Sequence, residues 1–298
     1  MQTSTAITGL ALDIPSVYFE FPRRKSTRGA PVSWTSAYVE TDRIKLHYHR
    51  TGGDKPALVL AHGLTDNGLC WTRLARALEA EYDLVMVDAR GHGLSAKPRT
   101  DYTVEDHAAD LADVVRALDL QQPALIGHSM GAATVAAFGA AHPELAGPLL
   151  LEDPPWRPPQ EQSAPAQHTR RLADWRDSHI ARQQQTRDEI IAFGRKRSPR
   201  WHEVEFAPWA EAKLQASPDV FGWGGTSGWI ELASQIRSRT ALITGDPELG
   251  AIVTPALAAA AAAANDRIEI AHIPGAGHNI RRDQFATYLR QVRSFLAD

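Results

Sequence analysis

The sequence predicts an α/β fold: a mostly parallel central sheet flanked by helices and interrupted by a mainly helical insertion. Short apolar runs alternate with helical patterns over residues 57–153 and again from residue 241 onward, as parallel βα units require. Between these stretches, residues 154–236 lack a clear buried strand and hold six of the eight tryptophans. The predicted domains are an N-terminal extension (1–35), a core (36–153 with 237–298) and a cap (154–236).

The apolar patterns indicate eight strands. The first two alternate between apolar and polar residues, as strands with one exposed face do, whereas most later strands are continuously apolar, which indicates burial on both faces. The predicted strands cover residues 37–40, 44–49, 57–61, 84–87, 124–126, 148–151, 241–244 and 268–273.

Capping residues mark several of the helices between these strands. Thr103 has a suitable N-cap side chain, and Asp106 follows at capping-box spacing. Thr254 and Pro255 begin a second helix, which runs through seven alanines and ends at Asn265. Further helices are predicted over 71–78, over 132–141 and from about 283 to 296.

Composition and charge exclude several classes of function. The 298 residues carry a net charge of −3, so we expect neither nucleic acid nor a membrane as a partner. No apolar stretch has the length of a membrane helix, and residues near the start lack a signal-peptide pattern. A single cysteine, Cys70, excludes an internal disulfide and fits a cytoplasmic protein. We expect a small-molecule substrate, and the sequence leaves open whether the protein forms a homodimer.

A Gly-x-Ser-x-Gly pentapeptide at residues 127–131 stands between a predicted strand and a predicted helix. This order is typical of a nucleophile elbow, a tight turn that exposes the serine hydroxyl at the carboxyl end of a strand. The hypothesis is that Ser129 is the nucleophile and that the N–H of Met130 is a first oxyanion donor. The alternative is a Gly-rich turn with an unreactive serine.

A serine nucleophile needs a base, a carboxylate and a second N–H donor. His278 follows Gly275 and Gly277 in the loop after the last strand, and these glycines favour a directed base over an exposed loop histidine. Leu64 follows the strand at 57–61, and its N–H is the second predicted oxyanion donor. We expect His128 to point away from Ser129 across the elbow.

Three carboxylates follow strands at the edge where these groups should meet. Asp153 follows the strand at 148–151, and Asp246 and Glu248 follow the strand at 241–244. The carboxyl ends of parallel strands lie at one edge of a sheet, so each could reach a shared histidine. The residues alone leave the three alternatives open.

These motifs together resemble the α/β-hydrolase superfamily over roughly residues 36–298. The matching features are the elbow, the His62-Gly63 loop, the stretch at 88–95 and the Gly-x-Gly-His sequence that ends at His278. The resemblance implies a Ser–His–acid triad, a cap domain over 154–236, no metal and no organic cofactor.

The resemblance also ranks the candidate acids. Most members carry the acid after the penultimate strand, where this chain has Asp246 and Glu248, whereas some members, including lactonases, carry it where this chain has Asp153. The spacing from Ser129 to Asp153 is similar to that of the lactonases. Asp153 is therefore the preferred acid, followed by Asp246 and then Glu248.

The sequence hypothesis is a serine hydrolase that cleaves a carboxylic ester or lactone through an acyl-enzyme. The tryptophan-rich cap favours a bulky apolar or aromatic substrate, with Trp156 as a substrate-binding residue. At least half of these tryptophans should only pack the cap onto the core. One alternative is cleavage of a carbon–carbon bond in a diketone. Another is a non-catalytic ligand-binding protein on the same fold.

Overall fold

The computed structural model describes residues 34–158, 165–223, 225 and 228–297. Its centre is an eight-stranded sheet with the order β1-β2-β4-β3-β5-β6-β7-β8. The first two strands form an antiparallel hairpin, and β2 also pairs with β4 in antiparallel fashion, while all pairings from β4 through β8 are parallel. In chain order, strands β1 to β8 are Thr35–Glu40, Lys45–Arg50, Ala57–Ala61, Asp83–Val87, Ala124–His128, Leu149–Glu152, Thr240–Thr244 and Ile268–His272.

The central strands are buried on both faces, as the continuous apolar runs predicted. Along β3, Val59 packs into the core cluster on one face of the sheet, whereas Leu58 and Leu60 pack into the cluster on the other. The same alternation places Leu125 and Ile126 of β5 on opposite faces. A strand that is closely packed on both faces is rigid, and it holds the residues at its end in fixed positions.

Ten α-helices lie in the described part of the chain. They are α1 Thr72–Leu78, α2 Val104–Ala117, α3 Met130–Ala141, α4 Pro165–Gln183, α5 Arg187–Arg197, α6 Phe206–Gln215, α7 Trp229–Gln235, α8 Pro255–Ala264, α9 Ile280–Asp283 and α10 Phe285–Ala297. None of them is long and apolar enough to cross a membrane.

Two predicted helix starts are confirmed in atomic detail. Thr103 accepts the N–H of Asp106, and the Asp106 carboxylate accepts the N–H of Thr103 in return, which completes the capping box of α2. Thr254 accepts the N–H of Leu257, and Pro255 is the first residue of α8. Capping side chains satisfy N–H groups that would otherwise have no partner.

The end of the chain differs from the single helix predicted from about residue 283. A short helix, α9, precedes α10, and Gln284 separates them with non-helical backbone angles (φ −132°, ψ 52°). Within α9 the N–H of Arg281 donates to the carboxylate of Glu152 at 2.9 Å. This contact ties the segment after His278 to the end of β6.

The described residues of the predicted cap form helices α4–α7 and short 3₁₀ turns, with no strand among them. Helices α5 and α6 pack around a separate apolar cluster that includes Ile190, Phe206 and Trp209 and reaches Cys70 of the core. The domain boundaries themselves stay a prediction. Of the predicted extension over 1–35, Trp34 and Thr35 lie within the described residues and the rest lies outside them.

Candidate active site

Ser129 occupies the sharp turn between β5 and α3, with φ 52° and ψ −118°. This backbone is possible because its flanking glycines allow close approach: a Cβ on Gly127 would lie 2.2 Å from the carbonyl oxygen of Gly131, and a Cβ on Gly131 would lie 2.2 Å from that of Ala61. A positive φ at a non-glycine residue is strained and recurs at functional sites. The turn leaves Ser129 half-buried at the carboxyl edge of the sheet.

His278 bridges Ser129 and Asp153. Its Nε2 lies 3.0 Å from Ser129 Oγ, and its Nδ1 lies 2.6 Å from Asp153 Oδ2. In this geometry Nδ1–H donates to the carboxylate, which leaves Nε2 free to accept the serine proton. The structure thus brings together three residues that are predicted from separate strand ends.

Asp153 is held by backbone N–H groups as well as by His278. Its carboxylate is fully buried and accepts the N–H groups of Ile252 (2.9 Å to Oδ2) and Val253 (2.8 Å to Oδ1). Its own backbone is in the left-handed region, at φ 45°. These contacts fix the carboxylate in one orientation, with one oxygen directed at the imidazole.

The two other predicted acids lie elsewhere. Asp246 accepts the N–H of Gly275 at 2.7 Å and lies 3.1 Å from Nε2 of His272. It shapes the loop that carries His278 without contacting the His278 side chain. Glu248 is exposed in the short 3₁₀ helix Pro247–Leu249.

The two predicted oxyanion donors lie on neighbouring segments. A Cβ on Gly63 would lie 3.3 Å from the Cβ of Ser129, so the loop that carries Leu64 packs directly beside the serine. Met130 is the first residue of α3, where an N–H has no acceptor within the helix. Among the described residues no acceptor takes a hydrogen bond from either N–H.

Three buried histidines support these loops. The Nε2–H of His128 donates to the carbonyl oxygen of His278 at 2.9 Å, so His128 anchors the backbone of the predicted base. His92 Nε2 accepts the N–H of Thr65, and His62 Nε2 accepts the N–H of Ala89. Burial lowers the pKa of all three, which keeps them neutral as these bonds require.

A buried network of charges adjoins the same loops and was missed by the sequence analysis. Lys213 of α6 lies 2.9 Å from Asp66, and Asp66 lies 3.0 Å from Arg282. Arg282 also donates to Glu205, in the predicted cap, at 3.3 Å. Burial alone would raise the pKa of Asp66, but the charges of Arg282 and Lys213 outweigh it and hold that pKa well below its usual range.

Trp156, the predicted substrate-binding residue, is fully buried in this structure. Its ring stacks on Trp229 with centroids 4.8 Å apart and planes 9° apart, and the Trp229 indole donates to the carbonyl oxygen of Arg157. A substrate could touch Trp156 only after this packing changes, and its binding role stays a prediction.

Comparison with known proteins identifies relatives of this chain. A family model described as the alpha/beta hydrolase family matches residues 58–288. The chain is 36% identical over 118 residues to 2-(acetamidomethylene)succinate hydrolase of Mesorhizobium japonicum, across 40% of this chain and 42% of that protein. It is 37% identical over 130 residues to N-formylmaleamate deformylase of Pseudomonas putida, across 43% and 48%. The chain therefore aligns with less than half the length of these curated relatives.

Solved structures are similar over most of the chain. The crystal structure of E-2-(acetamidomethylene)succinate hydrolase has a TM-score of 0.76 at 23% identity, covering 89% of this chain and all of the other. The enol-lactonase from Burkholderia xenovorans has a TM-score of 0.69 at 21% identity, covering 88% of this chain and all of the other. At these identities the similarity shows the fold alone.

Proposed function

The chain belongs to the α/β-hydrolase family, and from this premise we propose that it is a serine hydrolase that cleaves a carboxylic ester or lactone through an acyl-enzyme. The observation that carries the proposal is the pair of short contacts made by His278, to Ser129 Oγ at 3.0 Å and to Asp153 at 2.6 Å. A nucleophile, a base and an orienting carboxylate in contact are what acyl transfer requires.

The reaction would begin when the Ser129 hydroxyl attacks the substrate carbonyl and His278 Nε2 accepts its proton. Asp153 stabilises the imidazolium that forms, because its buried carboxylate already accepts the Nδ1–H. The N–H groups of Leu64 and Met130 donate to the carbonyl oxygen as it becomes an oxyanion. When the intermediate collapses, the carbon–oxygen bond breaks, and His278 returns the proton to the leaving alkoxide.

Water completes the cycle. His278 removes a proton from a water molecule that attacks the acyl-enzyme, and it then protonates Ser129 Oγ as the acid product leaves. For a lactone, the leaving alcohol remains attached to the acyl group, so the product is a single hydroxy acid. The number of tryptophans over residues 154–236 is the basis for proposing a bulky apolar group on the substrate.

A second candidate function is hydrolysis of an amide. The names of two curated relatives describe an acetamido substrate and an N-formyl substrate. The same residues would serve, but His278 would protonate a leaving nitrogen instead of an oxygen. Amines are poorer leaving groups than alkoxides, so this protonation would have to accompany cleavage.

A panel of synthetic substrates tests the proposal. We expect p-nitrophenyl esters and aromatic lactones to be hydrolysed with saturation kinetics, and Ser129→Ala to lower kcat by about 10⁴-fold or more. Turnover of matched anilides, with no turnover of esters or lactones, would support the amide candidate instead. Near-normal ester hydrolysis by Ser129→Ala would refute a serine mechanism.

A further inference from the structure

Lys213 reaches from the cap into the loop that carries the proposed oxyanion donor Leu64. Its ammonium donates three hydrogen bonds: to the carbonyl oxygen of Thr65 at 2.8 Å, to Thr65 Oγ1 at 3.0 Å and to Asp66 Oδ1 at 2.9 Å. An ammonium has three donors, so each of them is used on the two residues that follow Leu64.

Thr65 is in an unfavourable conformation that these bonds maintain. Its φ is 65°, a region that β-branched residues rarely adopt. Its N–H donates to His92 Nε2 at 3.1 Å, while Lys213 binds its carbonyl oxygen and its hydroxyl. The residue after Leu64 is therefore held on both sides. Lys213 binds the carbonyl oxygen of the Thr65–Asp66 peptide, and the N–H of that same peptide donates to the carbonyl oxygen of Gly63 at 3.0 Å. The Gly63 carbonyl and the Leu64 N–H belong to one peptide unit, so these bonds orient the Leu64 N–H.

The burial of this lysine calls for an explanation. Lys213 is 7% exposed, and burial lowers its pKa against the opposing effect of Asp66. A buried ion pair usually contributes little net stability, because desolvation of both charges offsets their attraction. A positional role accounts for a charged side chain here better than stability does.

The negative charge of Asp66 is compensated by other residues besides Lys213. Arg282 lies 3.0 Å from its carboxylate and Arg281 lies 3.6 Å away, on the segment that follows His278. The network thus connects the oxyanion loop, the histidine loop and helix α6 of the cap. Removing the lysine would release Thr65 while leaving the Asp66 charge paired.

We propose that Lys213 is a positioning residue: its ammonium holds Thr65 so that the N–H of Leu64 faces the carbonyl oxygen of a substrate on Ser129. The lysine touches no reacting atom and acts through the backbone of the loop. This inference rests on the proposed serine hydrolase function. It makes part of the cap a component of the oxyanion site rather than only a cover.

The test replaces Lys213 by methionine, which has a similar shape and no charge. We expect Lys213→Met to lower kcat by about 10- to 100-fold, because the loss of a donor or its misplacement costs that order, while KM changes by less than about threefold. Affinity for a trifluoromethyl ketone, which forms a tetrahedral oxyanion on the serine, should fall by the same factor as kcat/KM. Affinity for the alcohol product of an ester, which places no oxygen at the two N–H donors, should not change.

Gln183→Met is the matched control. Gln183 donates to the carbonyl oxygens of Lys213, Leu214 and Ala216 at the end of α6 and makes no such bond to the Thr65 loop. We expect this variant to alter cap stability with kcat close to that of the wild type. An equal loss of kcat in both variants would overturn the proposal, because it would show a general effect of the cap.

Thr65→Val provides a second route if Lys213→Met does not fold. It removes only the Oγ1 acceptor and keeps the ion pair, and we expect kcat and ketone affinity to fall together by about threefold to tenfold. Unchanged ketone affinity in the folded variant would overturn the positional role. These outcomes are separate from the proposed function, which is tested by the substrate panel and by Ser129→Ala and not by any variant of Lys213 or Thr65.

Discussion

Replacing Asp153 by asparagine tests the electrostatic part of the site with little change in shape. Asp153 Oδ1 accepts the N–H groups of Val253 at 2.8 Å and Ile252 at 3.1 Å, so the amide oxygen of asparagine would take that position. The amide NH₂ would then face His278 Nδ1, where the carboxylate oxygen lies at 2.6 Å. An NH₂ donor there forces His278 to carry its proton on Nε2, where it can no longer accept one from Ser129.

The expected loss follows from this change of tautomer. We expect Asp153→Asn to lower kcat by about 10⁴-fold, which corresponds to about 5 kcal/mol of transition-state stabilisation. KM should change little, because the carboxylate lies behind the histidine and is fully buried. Initial rates on a p-nitrophenyl ester, with circular dichroism to confirm folding, measure both quantities.

Asp246→Asn is the matched control. Its carboxylate contacts Gly275 and His272 and not His278, so we expect its kcat to stay within about tenfold of the wild type. If Asp153→Asn keeps more than a tenth of the wild-type kcat while Asp246→Asn loses most of it, the assignment of the acid is wrong.

Two further predictions concern stability. Gly127→Ala would place a Cβ 2.2 Å from the Gly131 carbonyl oxygen, so we expect it to lower the free energy of unfolding by about 3 kcal/mol. The control is Gly222→Ala, whose Cβ would have nothing within 4 Å and should leave stability unchanged. Equal urea midpoints for the two variants would contradict the elbow packing. Burial lowers the pKa of His107 to about 3, below the value of about 6.5 in an unfolded chain. The unfolded state therefore binds the proton first, and stability falls by about 1.4 kcal/mol per pH unit from pH 6.5 toward pH 3. His107→Gln should remove this contribution to the pH dependence of the free energy of unfolding, measured by urea unfolding at a series of pH values. An unchanged pH dependence would refute the prediction.

The elbow and the positions of the strands could be predicted because their signals are local. Gly127 and Gly131 are required by contacts within a few residues of Ser129 and with the adjacent strand. Continuous apolar runs indicate burial on both faces without knowledge of the neighbouring strands. His278 could be found because it follows Gly275 and Gly277 in the loop after the last strand.

The choice of acid could not be made from the residues alone, because all three carboxylates follow strands at the same edge. The structure brings Asp153 to His278, and the backbone at Ile252 and Val253 holds it there, 99 and 100 residues away in the chain. Nothing in the sequence indicates that Lys213 is buried beside the loop that carries Leu64. A single lysine on a helix of the predicted cap is typical of a solvated face, and its contact with Asp66 spans 147 residues.

Covalent labelling with a fluorophosphonate tests the central claim most directly. The probe reacts with a serine only when a base and an oxyanion site make that serine nucleophilic. We predict that peptide mapping of the labelled wild type places the adduct on Ser129, and that Ser129→Ala and His278→Ala remain unlabelled under the same conditions. An unlabelled, folded wild type, or an adduct on a different residue that persists in Ser129→Ala, would contradict the account.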